Sequence, residues 1–363
     1  MKKNKKTIMY NLLLITALAI IPQTGKCDEK EESTSRKELD LKGPVVVVVE
    51  KDCQFEKAFG EIRCTGSKDV RKCFYSNGRL AKQVNSPTSY KKYEYDKNGN
   101  LISISSPSSL IKYNYDQKAN LISKITIDCS NNDHYDTINT HKYEYEYSST
   151  GRIIRKIDLG ITNKYADNSG AKEYVYEYNS NGKISETMVF TISDGSKKQE
   201  QRLAYSYTNG GRKISTYSEK GLEKEEIYSG LNQIVRENKG IYWNVYNYKL
   251  DNNKHPIKGE NVMEPIIGKK VKIASTVFNY DSKGNLIKMS TFKSSESKPF
   301  MTISTKYTYD SHGNWTKKLT YINNNLTSWE EREFIYAKNE NDYKKYNQDD
   351  LSIFFKQAAY DKL

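Results

Sequence analysis

The chain has 363 residues, of which 36% are hydrophobic and 30 are tyrosine, and its mean hydropathy is -0.83. This composition excludes a thick aliphatic core and favours a thin sheet, because tyrosine joins an apolar ring to a polar tip. The formal charge is +13, and removing the five lysines of the first 26 residues leaves +8, interspersed with acids. That balance is typical of a solvated surface and gives no support to nucleic-acid binding.

Residues 1–26 have the pattern of an export signal. The segment begins with several lysines, of which Lys2 and Lys3 are the first. An uncharged apolar run from Leu12 to Ile21 follows. The run is too short to span a bilayer comfortably, so we assign residues 1–26 to a signal peptide.

Cys27 directly follows this segment and is a candidate for lipidation. Thr24 to Cys27 resembles part of a lipobox, although Lys26 stands where a small residue is expected, and Asp28 to Glu32 is similar to the acidic stretch of surface lipoproteins of Bacteroidetes. The alternative is an ordinary cleaved signal with a free or disulfide-paired Cys27. Residues 27–42 are charged and lack aromatics, which predicts a flexible tether.

The folded part is predicted to begin near Leu41. Val45 to Val49 is a run of five valines without alternation, which predicts a strand covered on both sides. If Cys27 carries lipid, four cysteines remain, and they allow two disulfides by three connectivities. These cysteines are Cys53, Cys64, Cys73 and Cys129.

A repeated unit then fills the chain to about residue 336. It has two aromatics two residues apart, a glycine four residues after the second aromatic, and an apolar residue six after it, as in Tyr307, Tyr309, Gly313 and Trp315. The aromatics point to one face of a strand, and the glycine supplies the positive φ of a turn. The second aromatics and Trp315 form a candidate binding face: Tyr95, Tyr115, Tyr147, Tyr178, Tyr207, Tyr280, Tyr309 and Trp315. The predicted turn glycines are Gly78, Gly99, Gly151, Gly182, Gly211, Gly284 and Gly313.

Several units are degenerate. Ala119 takes the glycine position after Tyr115, and the unit of Tyr248 keeps only its strand partner and a polar Asn252. With these units included, nine or ten hairpins are predicted, which corresponds to about 18 to 20 strands.

The segments Tyr93 to Ile102 and Phe278 to Ile287 resemble YD repeats of the Rhs type. Leu41 to Glu50, Phe59 to Ile62 and Tyr307 to Tyr336 are similar to a group of exported YD-repeat proteins of gut Bacteroidetes with no established activity. The large Rhs toxins end in a self-cleavage site and a toxic domain. Here no Asp-Pro pair occurs and only 27 residues follow Tyr336, so a self-contained toxin shell is not expected.

We therefore expect an all-β fold, with a YD-repeat domain over residues 43–340 that forms one large curved antiparallel sheet. Open twisted sheets seldom exceed about 10 strands without curling, so the sheet should be a half-shell or a soluble barrel. The face opposite the tyrosines is predicted to carry Lys306, Thr308, Glu144, Glu146, Glu177 and Asn279, whose charges do not suit lipid. Residues 341–363 are predicted to form a short amphipathic helix, with Leu351, Phe354, Phe355, Ala358 and Ala359 on its apolar face and Asp349 or Asp350 as its cap.

The sequence shows no catalytic constellation, no cofactor motif and no strong metal signature. Asp133, His134, Asp136 and His141 cluster in one segment, where a polar surface loop is the preferred interpretation over a metal site. We predict a non-enzymatic module, exported to the outer membrane, cell surface or periplasm, that binds glycan or peptide or acts as a scaffold. It would meet a membrane only through the lipid. The alternative is a glycan hydrolase with its site in the segments 129–142, 159–173 or 250–270.

Overall fold

The structure, a computed structural model, describes residues 35–58, 61–131, 134–163, 170–193, 195–208, 211–240 and 242–348. These residues form twenty-two antiparallel strands and one helix. The first eleven strands are β1 (Val45–Ala58), β2 (Glu61–Phe74), β3 (Leu80–Ser86), β4 (Ser89–Tyr95), β5 (Leu101–Ser105), β6 (Ser109–Tyr115), β7 (Leu121–Asn131), β8 (His134–Tyr147), β9 (Ile153–Asn163), β10 (Ala171–Tyr178) and β11 (Ile184–Ser193). The others are β12 (Ser196–Thr208), β13 (Gly211–Ser218), β14 (Gly221–Ser229), β15 (Asn232–Asn238), β16 (Tyr242–Leu250), β17 (Pro256–Pro265), β18 (Val271–Tyr280), β19 (Leu286–Lys293), β20 (Met301–Tyr309), β21 (Trp315–Ile322) and β22 (Asn325–Tyr336), followed by helix α1 (Glu340–Tyr346).

The sheet closes into a barrel. Each strand pairs with the next one in the chain, and β22 pairs with β1 through partners such as Val48 with Phe334 and Lys51 with Glu331. Closure leaves no strand edge with unpaired backbone groups among these strands. The prediction of a barrel is confirmed, and the alternative of a half-shell is wrong.

The repeat units account for all but two of the strands. Ten repeat turns join β2 to β3 and every later even-numbered strand to the next, through β20 to β21. The estimate of 18 to 20 strands counted only the strands beside these turns. The valine strand β1 and the last strand β22 complete the ring. Because successive strands are antiparallel, all ten turns lie at one end of the barrel, which we call the repeat-turn end, and the other connections lie at the far end.

The valine strand is the best covered part of the barrel. Val45, Val46, Val47 and Val48 are fully buried, as predicted, and Val49, the last of the five valines, is half-buried. One group of neighbours is Cys73, Val84, Tyr343 and Tyr346, and another is Leu41, Phe74, Leu80 and Tyr93. A separate small cluster on β16 to β20 contains Tyr248, Leu250, Phe278, Met289 and Met301. The apolar core is thus divided into local clusters, as the low hydrophobic content suggests.

Helix α1 begins earlier than the predicted apolar helix. Asn339 caps it by accepting the N–H of Asn341 at 2.9 Å, and the carboxylate of Asp342 accepts the N–H of Asn339 at 3.2 Å. Tyr343 and Tyr346 bury their rings against the valine strand. The predicted cap at Asp349 or Asp350 and the apolar face from Leu351 to Ala359 lie outside the described residues.

Residues 35–43 form a strap at the repeat-turn end. The N–H of Arg36 donates to the carbonyl of Gly78 at 2.8 Å, and its guanidinium donates to the carbonyl of Ser76 and the hydroxyl of Tyr343. Leu41 is buried. The last part of the predicted tether therefore lies on the barrel, whereas the signal peptide, Cys27 and residues 28–34 lie outside the described residues.

A disulfide joins Cys53 on β1 to Cys64 on β2, whose Cα atoms are 5.5 Å apart. Cys73 is a buried free thiol, and Cys129 is a partly exposed one. Of the two disulfides that the four cysteines allow, one is present. Burial raises the pKa of Cys73 to about 12, so this thiol is protonated at neutral pH.

Candidate functional site

The repeat turn is held by its aspartate. In the last turn, Asp310 accepts the N–H groups of His312 at 3.0 Å and Asn314 at 2.9 Å, and the N–H of Gly313 donates to the Asp310 carbonyl at 3.1 Å. Gly313 has a φ of 86°, in the region that favours glycine. Six of the seven predicted turn glycines have a positive φ: Gly78, Gly99, Gly151, Gly182, Gly284 and Gly313.

Gly211 is the exception, and its assignment as a left-handed turn residue is wrong. It begins β13 in an extended conformation and pairs with Thr208. A Cβ there would lie 2.4 Å from the Tyr228 carbonyl oxygen, so glycine is needed for close backbone approach. Conversely, Ala119 and Lys254 occupy turn positions with φ of 63° and 68°. Lys254 belongs to a complete turn that begins at Asp251, and Leu250 holds the position before it that a second aromatic has in other units. The prediction that Tyr248 and Asn252 mark this turn is therefore wrong by two residues.

In eight places, a tyrosine at the end of a strand binds the unit before it through its hydroxyl. Tyr178, for example, donates its hydroxyl to the carbonyl of Ile153, the first residue of the preceding return strand, at 2.7 Å. This bond recurs around the repeat-turn end for Tyr95 to Leu80, Tyr115 to Leu101, Tyr207 to Ile184 and Tyr280 to Pro256. The hydroxyls thus fasten neighbouring hairpins to one another.

Three turns carry a stronger version of this contact. The hydroxyl of Tyr336 donates to Asp310 and accepts the side-chain N–H of Asn314 at 2.7 Å. The same triad links Tyr147 with Asp116 and Asn120, and Tyr309 with Asp281 and Asn285. Burial, followed by the bond to Asp310, raises the pKa of Tyr336 to about 12. Burial opposes ionisation of Asp310, but bonds from Tyr336, Asn314 and His312 outweigh it, so the pKa of Asp310 is lowered.

A cation or an imidazole from each of eight turns covers the ring of the next unit's tyrosine. The Lys283 ammonium lies 4.9 Å from the Tyr309 ring centroid, and the His312 ring stacks on Tyr336 at 3.8 Å. The others are Arg79 on Tyr95, Lys118 on Tyr147, Arg152 on Tyr178, Lys183 on Tyr207, Arg212 on Tyr228 and His255 on Tyr280. We missed this feature in the sequence, although a basic residue or histidine beside the turn glycine is its signal.

The residues of the candidate binding face therefore mainly stabilise the barrel. Its hydroxyls contact the preceding unit and its rings contact cations, which is the geometry of a structural ring. Of the eight residues, Tyr309 and Trp315 lie together in a cavity, and Tyr95, Tyr115, Tyr147, Tyr178, Tyr207 and Tyr280 do not line it.

The cavity lies at the repeat-turn end, beneath the strap, and has a volume of about 240 Å³. We call it the turn-end cavity. Its lining joins distant parts of the chain: Asp40, Lys42, Lys283, Asn285, Tyr309, His312, Gly313, Asn314, Trp315 and Arg332. Asn314 fixes the strap, because it accepts the Lys42 N–H and donates to the Lys42 carbonyl at 2.8 Å.

The electrostatic balance of the turn-end cavity is positive. Lys42, Lys283 and Arg332 face one carboxylate, Asp40, which pairs with Lys42. Arg332 lies 3.9 Å above the Trp315 ring and donates to Glu50 at 2.7 Å, outside the lining. Within the described residues, Lys283 forms no ion pair and the buried Nε of Arg332 has no hydrogen-bond partner. This arrangement can receive an anion.

The histidine segment forms a different arrangement. His141 binds Asp158 through Nε2 at 2.5 Å, and its Nδ1 lies 3.2 Å from the Tyr143 hydroxyl. Asp136 is exposed on β8, and Asp133 lies outside the described residues, as does the side chain of His134. Within the described part of the chain, no group of three metal-ligating side chains occurs. Much of the three segments considered for an enzyme site is strand, in β7 to β10 and β17.

The residues that were predicted on the face opposite the tyrosines are exposed. Glu144 and Glu146 alternate with Tyr143, Tyr145 and Tyr147 on β8, and only the glutamates are freely exposed. The same holds for Glu177, Asn279, Lys306 and Thr308. Among the described residues, no helix combines the length and apolar character needed to cross a membrane.

Comparison with solved structures finds matches of low sequence identity and low TM-score. A porin-like protein from Bacteroides uniformis is 10% identical over 81% of this chain and 98% of its own, with a TM-score of 0.24. The TcdB2-TccC3 structure is 10% identical over 81% of this chain, with a TM-score of 0.28, and the match spans 17% of that chain. A Bacteroides fragilis protein of unknown function is 13% identical over 47% of this chain, with a TM-score of 0.17. No family model and no curated protein sequence matches.

Proposed function

We propose that this chain is an exported, non-catalytic YD-repeat barrel of the Bacteroidetes kind that acts as a binding or scaffold module. The observation that carries this proposal is that the repeat-turn end has both a ring of linked turns and a cavity. Nine of the ten turns contact the tyrosine of the next unit through its hydroxyl, through its ring or through both, and the turn-end cavity lies among these turns. A rigid rim with a preformed cavity suits recognition, because little ordering entropy is lost on binding.

The chemistry of the turn-end cavity supports binding over hydrolysis. Glycoside hydrolysis ordinarily uses two carboxyl groups that flank the bond, one as acid and one as base or nucleophile. The described residues that line the cavity include one carboxylate, Asp40, which pairs with the neighbouring Lys42. Asp281 and Asp310 lie close by in the chain, but their oxygens accept bonds from their own turns and from the next tyrosine.

The location is proposed on the sequence. The export signal over residues 1–26 directs the chain out of the cytoplasm, and lipid on Cys27 would hold the barrel at the outer membrane or cell surface. Without lipid, the protein would be periplasmic or secreted. The described part of the strap, residues 35–43, lies at the repeat-turn end.

The test has two steps. The purified protein is applied to a glycan and peptide array, and the ligands that it binds are then incubated with it and analysed for reaction products. We expect retention of intact ligand and no product over long incubation. Turnover of a bound ligand that one Asp→Asn or Glu→Gln substitution abolishes would show an enzyme. Asp40→Asn is the first variant to make, because Asp40 is the carboxylate in the cavity lining.

A further inference from the structure

We propose that the turn-end cavity binds one acidic sugar residue, a uronic acid within a glycan. This inference rests on the proposed binding function and names the ligand class for that site. It follows from three properties of the cavity: a surplus of cations, two aromatic rings and a volume of about 240 Å³.

The cations select for a carboxylate. Lys283 has the Tyr309 ring as its neighbour and forms no ion pair within the described residues, so its ammonium can take an anionic partner. Arg332 shares Glu50 with Lys72, which leaves this trio with one positive charge in excess. Charge-assisted hydrogen bonds to a carboxylate are stronger than neutral ones, and they become stronger still in a partly enclosed site, where water screens the charges less.

The rings and the volume select for a sugar. Trp315 and Tyr309 line the same cavity, with Arg332 over one face of the Trp315 ring and Lys283 over one face of the Tyr309 ring. The parts of the two rings that line the cavity give an apolar surface against which the C–H groups of a sugar can pack. The volume lies below the roughly 300 to 1,000 Å³ of pockets that enclose drug-sized ligands, so it suits a single ring. The rest of the glycan would extend into solvent.

The site is held in place before any ligand arrives. Asn314 binds both backbone groups of Lys42, and Asn285 binds the Tyr309 hydroxyl at 2.7 Å. These bonds fix the strap above the cavity and the tyrosine in its wall. Preorganisation of this kind reduces the cost of binding a small ligand.

An acidic peptide is the less favoured ligand. An extended peptide commonly adds a strand to a free sheet edge, and β22 pairs with β1 along the strand and closes that edge. The turn-end cavity is also a compact space between two turns and the strap, whereas a peptide needs a row of pockets.

The test compares uronic-acid oligomers with their neutral hexose counterparts, by calorimetry on the purified protein. The uronide has a carboxylate where the hexose has a hydroxymethyl group. We expect the uronide to bind at least about tenfold more tightly, with affinity that falls as salt rises. Lys283→Met should weaken uronide binding at least about tenfold and leave the melting temperature nearly unchanged, because it keeps most of the apolar stem.

Lys118→Met is the matched control. Lys118 has the same place in its turn and covers Tyr147 as Lys283 covers Tyr309, but it does not line the cavity. Equal affinity for uronide and hexose, no uronide binding, or equal losses in the two variants would overturn the inference. An acidic peptide that binds through Lys283 would also overturn it and leave the binding function standing. Turnover of the uronide would instead contradict the non-catalytic proposal.

Discussion

The Tyr336 hydroxyl donates a hydrogen bond to the carboxylate of Asp310, which begins the turn of the preceding unit. Two residues 26 positions apart thereby fix one hairpin against the next, and Asn314 reinforces the contact. The same bond joins Tyr147 to Asp116 and Tyr309 to Asp281. The aspartate shapes its own turn with backbone bonds and presents its second oxygen to the neighbouring tyrosine.

Removal of this hydroxyl should destabilise the barrel. We expect Tyr336→Phe and Tyr309→Phe each to lower the free energy of unfolding by roughly 1 to 2 kcal/mol, because an aspartate loses a charged hydrogen bond. Urea denaturation is the measurement. Tyr321→Phe is the control, since the Tyr321 hydroxyl has no hydrogen bond within the described residues. Equal effects at positions 321 and 336 would mean that the ring, and not the hydroxyl, matters.

The tyrosines of the triads should titrate late. Burial and the bond to the aspartate raise the pKa of Tyr336 and of Tyr147 to about 12, against about 10 in an unfolded chain. The folded state therefore binds these protons more tightly. Its stabilisation is fully present below pH 10 and is lost as the pH rises towards 12. Phenolate absorbance should show a late fraction that shrinks in Tyr336→Phe. Titration of every tyrosine near pH 10 in the folded protein would contradict the triad.

The turn glycines should resist substitution for a conformational reason. Gly284→Val and Gly313→Val should each destabilise by more than about 1 kcal/mol, because a β-branched residue strains at a positive φ. Gly66→Val is the control, since Gly66 lies in β2 without a positive φ and its nearest neighbour would be 3.9 Å away. Thermal melts that rank Gly66→Val with the turn variants would refute this explanation.

The repeat was readable from the sequence because its signal is local. The offset from Tyr309 to Gly313 and Trp315 lies within one hairpin, and the structure has the expected turn there. The turn at Lys254 was obscured because a residue other than glycine adopts the positive φ. Propensity alone does not reveal a position where the surrounding turn imposes such a conformation.

Local sequence patterns could not predict that the barrel closes or that the turn-end cavity forms. The pairing of β1 with β22 joins residues that are far apart in the chain. Whether the first and last strands can pair depends on the total number of strands, which no local pattern gives. Lys42, Lys283 and Arg332 come together through that closure. None of the three stands out in the sequence among many other basic residues. The rows of tyrosine were prominent, but most belong to the structural ring.

The lipid anchor stays a prediction. Cys27 should incorporate a labelled fatty acid in growing cells, and Cys27→Ser should not, because the thiol is the attachment point. The apolar run before it and the acidic stretch after it motivate the test. Equal label in the two proteins would refute lipidation at this residue. Absence of label from both would favour a soluble exported form.

The most direct test replaces a tyrosine pair far from the turn-end cavity and follows stability and binding together. Tyr145 donates to the Leu121 carbonyl at 3.0 Å and Tyr147 donates to Asp116, and neither lines the cavity. For Tyr145→Ala with Tyr147→Ala, we predict a lower melting temperature and, below it, unchanged affinity for the ligand that the array identifies. Lost affinity with an intact melting transition would contradict the account, because it would make the tyrosine ring itself the recognition surface.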